Sequence, residues 1–538
     1  MKRISIILTL IVFLSTSCQK YLDVNTNPNS ATTATPELVL PQAIVYTANV
    51  ANSYNTYGAQ LGGYMANAYG YGGFGNNFSY TFNSSDYTGL WSASYDVLND
   101  FQYVLNSTND ATNRSYYAYY RAAALIMQVY NYQLLVDTYN NIPFANALKG
   151  TASLTPSYDD AKTIYPKLSN MLDTAIAYIN TAPSSAKPLG VGKDPLFNQT
   201  AITVTASNTL WKQFANTLKL RLIVRAAAKI TMPSTTFDAV GFLATDAVVN
   251  PGFGRTNASS GTQVNPEFNT WVATYSGGKG NRSWVPTKWI YSFYSGTKLA
   301  DAGRGNAIFY GYATNTTGLS QLGVILSGGS SNGNTSNWYC SSYGASTALT
   351  SVGNNIGVMK GPDMGQPLML ASESYLLQAE AVVRSIPNVT GTDAALFNNG
   401  VTQSFNYLYK LPNGSVAPGY SAATSFTAYQ AANPTSYLVN YALATTTAQK
   451  IEAIITQKYI ALNMINSNEA WNEYRRTGYP TVVAGSSNAI LTFASTQSSA
   501  TAADKLPTRL QYPISEFSYN AANVPNVNVF TDKIFWAQ

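Results

Sequence analysis

Apolar residues recur at three- and four-residue steps over long parts of this chain and lose all period in between. Leu90, Trp91, Val97, Leu98, Phe101 and Leu105 mark one face of a helix over 86–106, and Leu125, Val129, Tyr132 and Val136 mark another over 113–139. A helix opened by Pro156 and Tyr158 runs through Leu168, Leu172, Ile176 and Ile179. One over 208–230 carries Leu210, Phe214, Leu218 and Leu222. Upstream, 37–53 reads as a helix with Pro36 in its first turn, and 59–68 as a weaker one. From 232 to 362 Gly, Ser and Asn dominate, and Trp271, Trp284, Trp289 and Trp338 are scattered without period. A run of that length without elements is unusual unless it carries function. It reads as loops and short strands on a helical frame. Helical order returns at 366–381 and 394–408.

The densest signal is 450–480, read as two helices and a tight turn. Ile451, Ile454, Ile455, Tyr459, Leu462 and Ile465 form the first face. Asn466, Ser467 and Asn468 interrupt it, with short polar side chains able to accept from the free N–H groups of the next helix, and Glu469 suits its positive first turn. Arg475 and Arg476 fall in the last turn, facing the negative end of the dipole. Gly478 supplies a left-handed stop, and Pro480 forbids continuation.

In this stretch, Gln457-Lys458-Tyr459 and the string EAWNEYRRTGYP over 469–480 closely resemble the SusD/RagB family of Bacteroidetes outer-membrane nutrient-binding lipoproteins, in its SusD-like subgroup. Further strings follow in the family's order: 21–30, 135–144, Trp211 with 214–221 and Arg225, 366–381, and 506–516 with Tyr519, Asn520 and Asn523. The resemblance spans about 18–523 and is weakest in the aperiodic middle. It implies a mainly α fold: a tetratricopeptide-like superhelix of helix pairs, decorated by long loops and a few short strands. No clean 34-residue consensus accompanies it.

The first residues add an address. Lys2 and Arg3 precede a mostly apolar run over 4–14, too short for a spanning helix, and small residues then lead to Cys18. This looks like a bacterial lipobox. Residues 1–17 would be a lipoprotein signal peptide, and Cys18 a lipidated N-terminus whose acyl chains anchor the protein to the membrane. Residues 18–35 would be a polar tether, and 36–538 one SusD-like α-helical domain with a loop-rich insertion at about 232–362.

Composition narrows the chemistry. The net charge is +6, and removing Lys2 and Arg3 leaves +4, too weak and dispersed for nucleic acid. The chain has no histidine, which excludes Ser-His-Asp and Cys-His catalysis and His-ligated metal sites. Cys18 and Cys340 offer no disulfide framework. No EF-hand pattern appears, and no metal or cofactor is expected. Glu373 and Glu380, seven residues apart on one helix face, could in principle serve a glycosidase. They sit in a packing string, where pairing with an arginine such as Arg384 is the better reading, and no enzyme is expected.

Charged residues make up only 10% of the chain, against 40 tyrosines and abundant amides and hydroxyls. Flat aromatic faces beside amides meet sugars and peptides well. The resemblance implies capture of a glycan, or alternatively a peptide, at the cell surface, and delivery to a SusC-like TonB-dependent transporter. A structural cap without ligand affinity remains a further alternative. Gly70, Gly72 and Gly75 fit G-x-G-x-x-G, but neither a strand before nor a helix after supports a dinucleotide site. Loop aromatics with polar neighbours are the candidate ligand contacts: Tyr71, Phe74, Asn76 and Asn77, then Trp271, Trp284 and Trp338.

Overall fold

The computed structural model describes residues 34–190, 193–197, 202–254, 263–276, 278–314, 318–325, 339 and 355–538. Cys18, Trp338 and Cys340 lie outside them, as do the signal segment and nearly all of the tether. Sixteen α-helices are found among the described residues: α1 Pro36–Leu61, α2 Asn76–Ser79, α3 Thr88–Ser107, α4 Ala111–Tyr116, α5 Ala118–Tyr139, α6 Ala161–Asn180, α7 Val204–Ala226, α8 Pro266–Trp271, α9 Lys288–Ser292, α10 Ala302–Ile308, α11 Ala371–Val383, α12 Asp393–Tyr409, α13 Ala422–Ala432, α14 Thr447–Ala461, α15 Ser467–Thr477 and α16 Ile514–Tyr519. Consecutive long helices pack as pairs. α1 lies on α3, α3 on α5, α5 on α6 and α6 on α7, and the series continues through α11 with α12 and α14. α15 then returns to pack on α1. Among the described residues, two small antiparallel sheets tie loops to this frame. β1 (Met65–Asn67) pairs with β3 (Trp284–Pro286), and β2 (Ala247–Val249) with β4 (Gln366–Met369). No described helix is long and apolar enough to cross a membrane.

Local chemistry shifts several elements from where periodicity alone puts them. There is no second helix at 59–68. α1 runs on to Leu61, Gly63 adopts φ +85°, and 65–67 becomes a strand. The helix expected over 113–139 breaks at Tyr117, and the short α4 before it is held by the Asp110 carboxylate, which accepts from Asn113 N. The helix after Pro156 starts only at Ala161, because Asp160 caps it while Asp159 turns back to accept from the backbone of Phe144 and Ala145. Residues 366–369 are β4 rather than helix. Pro367 belongs at a strand edge and not in a helical turn. In the 450–480 hairpin, Gly478 closes α15 in the left-handed region as expected. Asn466 does not cap the second helix through its side chain. Its carboxamide nitrogen donates to Glu373 Oε2 at 3.4 Å, and Ser467 Oγ accepts from Met464 N.

The departure at Asn466 has its cause in α15, which is buried on nearly every side, so that polar residues here bond to other helices rather than to the helix's own ends. A Cβ on Gly58 of α1 would lie 2.1 Å from Asn468 N, so only glycine lets the two helices meet. Arg225 of α7 pairs with Asp137 of α5 and with Glu469 and Glu473 of α15. Arg221 reaches Glu373 of α11 at 3.3 Å and Glu469 at 3.7 Å. Lys458 of α14 meets Glu473 at 3.1 Å, and Arg476 meets Glu473 and, at 2.7 Å, Glu380. Arg384 also pairs with Glu380, at 2.6 Å. Arg475 lies between the Trp471 and Trp536 rings and donates to the carbonyls of Asp137 and Thr508. Arg475 and Arg476 therefore join a buried network and do more than face a helix dipole. Glu373 and Glu380 are both spent within it.

Removing one partner from such a group leaves its opposite charge in a low dielectric. Burial pushes the Glu469 carboxyl up, but Arg221 and Arg225 outweigh it and hold it down to about 2, against an ordinary 4.5. Asp137 and Glu373 go the other way, because burial dominates there. Glu469 thus binds its proton more weakly folded than unfolded. The stability it contributes is complete above about pH 4.5 and fades as pH falls toward 2. Glu469→Gln is expected to cost about 3–5 kcal/mol at neutral pH. It should also flatten the acid limb below pH 4.5, as read by urea denaturation across a pH series. An unchanged midpoint would show that the network carries no such weight.

A candidate ligand-binding surface

The β1–β3 ladder places Asn67 opposite Trp284, and Ala68 N donates to Ser283 O at 2.8 Å. The chain leaving β1 therefore starts its glycine-rich loop beside the Trp284 indole. Gly73 and Gly75 take φ +83° and +45°, which side-chain-bearing residues avoid. Side chains built at Gly72, Gly73 and Gly75 would meet nothing within 4 Å among the described residues, which leave the loop's outer side clear. The short α2 follows and turns Phe78 back over Phe74.

The result is a compact aromatic surface. Phe74 and Phe78 stack with centroids 5.1 Å apart, and Trp284 meets Phe74 edge-on, also at 5.1 Å. Phe74 is buried under the other two rings, while Phe78, Trp284 and Tyr71 are half-buried and packed against the core. Asn76 and Asn77 stand beside them on α2. Asn76 Nδ2 donates to Asp86 Oδ2 at 2.7 Å, and its Oδ1 accepts from Thr81 at 3.2 Å. Asn77 Oδ1 lies 2.5 Å from the Tyr87 hydroxyl. Stacked rings with a fixed polar edge suit a ligand that has an apolar face and a hydroxyl or amide rim.

Of the residues singled out from sequence, Tyr71, Phe74, Asn76, Asn77 and Trp284 are brought together on this loop and ladder. Trp271 is not. It ends α8 with its ring in the core, 3% exposed, and Arg282 donates to its carbonyl at 2.8 Å, fastening the following loop. Its bulk is used for packing and offers no face to a ligand. Trp338 lies outside the described residues. Phe78 was missed by sequence reading. Its signal was the aromatic spacing Phe74-x-x-x-Phe78, one helical turn, immediately after the glycines. Tyr87 was missed as well, and carries no such signal.

Other concavities exist. One of about 590 Å³ lies at the C-terminal end of α15 between Trp471, Tyr474, Asp504 and Lys533. Its aromatic floor is nearly sealed: Trp471 is 1% exposed and Tyr474 6%. The Tyr474 hydroxyl is committed to Asp504. For presenting a flat ring to a ligand, the loop surface is therefore the better candidate. Among the described residues, no three His, Cys, Asp or Glu side chains gather to hold a metal ion.

Comparison with known proteins agrees with this architecture. A SusD-like family model, described as starch-binding and associating with the outer membrane, matches residues 28–513. A chitin-binding SusD homologue from Flavobacterium johnsoniae superposes with a TM-score of 0.66 at 19% identity, over 92% of this chain and 98% of that one. A SusD homologue from Bacteroides uniformis gives 0.61 at 23% identity, over 93% and 99%. One from Bacteroides fragilis gives 0.62 at 17%, over 94% and 100%. No curated protein matches the chain. Because the family model takes in nearly the whole sequence and the helical frame is shared end to end, the chain belongs to this SusD-like family.

Proposed function

We propose that this protein captures glycans at the outer membrane, held there by lipid on Cys18, and delivers them to a SusC-like TonB-dependent transporter. The observation that carries this reading is the Phe74–Phe78–Trp284 surface with amides at its rim. An aromatic face covers the C–H face of a sugar ring, and carboxamides bond its hydroxyls. The family's description as starch-binding and the chitin-binding relative support the same ligand class. Peptide is the alternative ligand within this reading, and a cap without ligand affinity is the alternative to it.

Calorimetry on the protein lacking residues 1–18, against starch, chitin, cellulose and xylan oligosaccharides and peptide digests, tests the assignment. Product analysis on the same samples accompanies it. Glycan binding without turnover is expected. Peptide binding alone would redirect the ligand class, turnover would make the protein an enzyme, and silence would favour the cap.

Two tryptophans separate surface from core. Trp284→Ala should weaken glycan binding about tenfold, a loss of roughly 1.4 kcal/mol, and leave the fold intact. Trp271→Ala should destabilise the fold by about 3–5 kcal/mol, read by chemical denaturation. Unchanged affinity in the Trp284 variant would remove the aromatic surface from the reading.

A further inference from the structure

The Tyr87 hydroxyl sits between two carboxamides. It lies 2.7 Å from Gln60 Oε1 and 2.5 Å from Asn77 Oδ1. Its ring is fixed edge-on against Tyr57 at 5.3 Å and Phe82 at 5.5 Å, and its backbone holds φ +53° at the start of α3. Burial first, then neighbouring Tyr57 and Asp86, push the phenol well above its ordinary 10, so it keeps its proton.

A phenol has one proton. It can donate to only one of the two amides and must accept from the other, which turns its nitrogen inward. The two carboxamides are thereby set in opposite senses. One keeps its NH2 group outward and the other its C=O. Gln60 and Asn77 are each half-buried, and apart from Tyr87 their carboxamides have no hydrogen-bond partner among the described residues. The pair is coupled: whichever amide Tyr87 donates to, the other must complement it. Asn77 belongs to the single turn that carries Phe78, so this edge borders the aromatic surface.

We infer that Tyr87 is a positioning residue that makes Gln60 and Asn77 a matched donor and acceptor for two adjacent ring hydroxyls of a sugar. This rests on the glycan reading above and names the sugar feature recognised. Of two neighbouring hydroxyls, one accepts from the outward NH2 while the other donates to the outward C=O. An acetamido group in place of one of them still donates through its N–H but cannot accept at that position, and it adds an acetyl branch, so it meets the pair in one sense only and fits it less well. The ligands favoured are therefore glucans and xylans with free 2,3-hydroxyls over N-acetylated chains.

The experiment is calorimetry of the protein lacking residues 1–18 with maltoheptaose, cellohexaose, xylohexaose and chitohexaose, for the wild type and for Tyr87→Phe. The Phe variant keeps the ring and its packing and removes only the hydroxyl. At least one of the first three should bind the wild type tenfold or more tighter than chitohexaose. Tyr87→Phe should weaken that ligand about tenfold, leave chitohexaose unchanged, and keep the melting temperature. Gln60→Met, which leaves Tyr87 in place, should show the same selective loss and stands in if the Phe variant fails to fold. Equal or tighter binding of chitohexaose, or equal weakening of every ligand by both variants, would overturn the inference and leave glycan capture standing. Binding of no glycan by the wild type would overturn both.

Discussion

Arg225 can be buried only because three carboxylates from two other helices meet it. That condition organises the fold. The cation belongs to α7, the acids to α5 and α15, and Arg221, Lys458 and Arg476 extend the same bonding to α11 and α14. A guanidinium is a planar fork with fixed donor directions, so each pairing tolerates little sliding of one helix along another. Apolar side chains supply most of the driving force for packing and would accept several registers. The ion pairs accept one. The helix pairs are thus held in a single stagger, and the loops that leave them start from fixed points.

The candidate surface is built on those fixed points. Its tryptophan stands on a three-residue ladder, and its phenylalanines on a loop and a single turn. Neither element would hold shape alone. The ladder is tied to the turn that follows α1 through Thr287, whose hydroxyl and amide donate to the carbonyls of Gly63 and Tyr64. The hairpin helix α14 is tied there too: Tyr459 donates to the carbonyl of Gly62 and accepts from Trp289. Side chains of the frame thereby position loops whose own sequences are mostly glycine, asparagine and serine.

Periodicity found the long helices because their apolar stripes are what the core buries, and the ordered strings in 457–480 carried the family. What sequence could not show was partnership. Glu469 at a helix start and Arg475 and Arg476 at its end satisfy a dipole argument completely, so nothing in the string announced that they face other helices. Trp271 and Trp284 look alike in an aperiodic region. Only the ladder, which exposes one, and the end of α8, which buries the other, tell them apart. Phe74, Asn76 and Asn77 were legible as an aromatic and two amides directly after a run of glycines, although the short α2 begins at Asn76. Tyr87 was not, since a tyrosine opening a helix in the left-handed region has no recognisable pattern.

The close approach at Gly58 bears on the order in which the molecule assembles. It joins the first helix to residues more than four hundred positions later, and Asn55 Oδ1 receives the amide of Ser467 at the same crossing. A chain emerging from its N-terminus makes α1 and α7 long before α15 exists. Until then Arg225 has one of its three acids, and the groove on α1 that takes α15 faces solvent. Contacts of such long range close late and slowly. Until α15 docks, the helices that precede it leave the core open at α1 and Arg225 short of Glu469 and Glu473. Docking of the C-terminal hairpin, rather than formation of any single helix, is then the event that completes the native core.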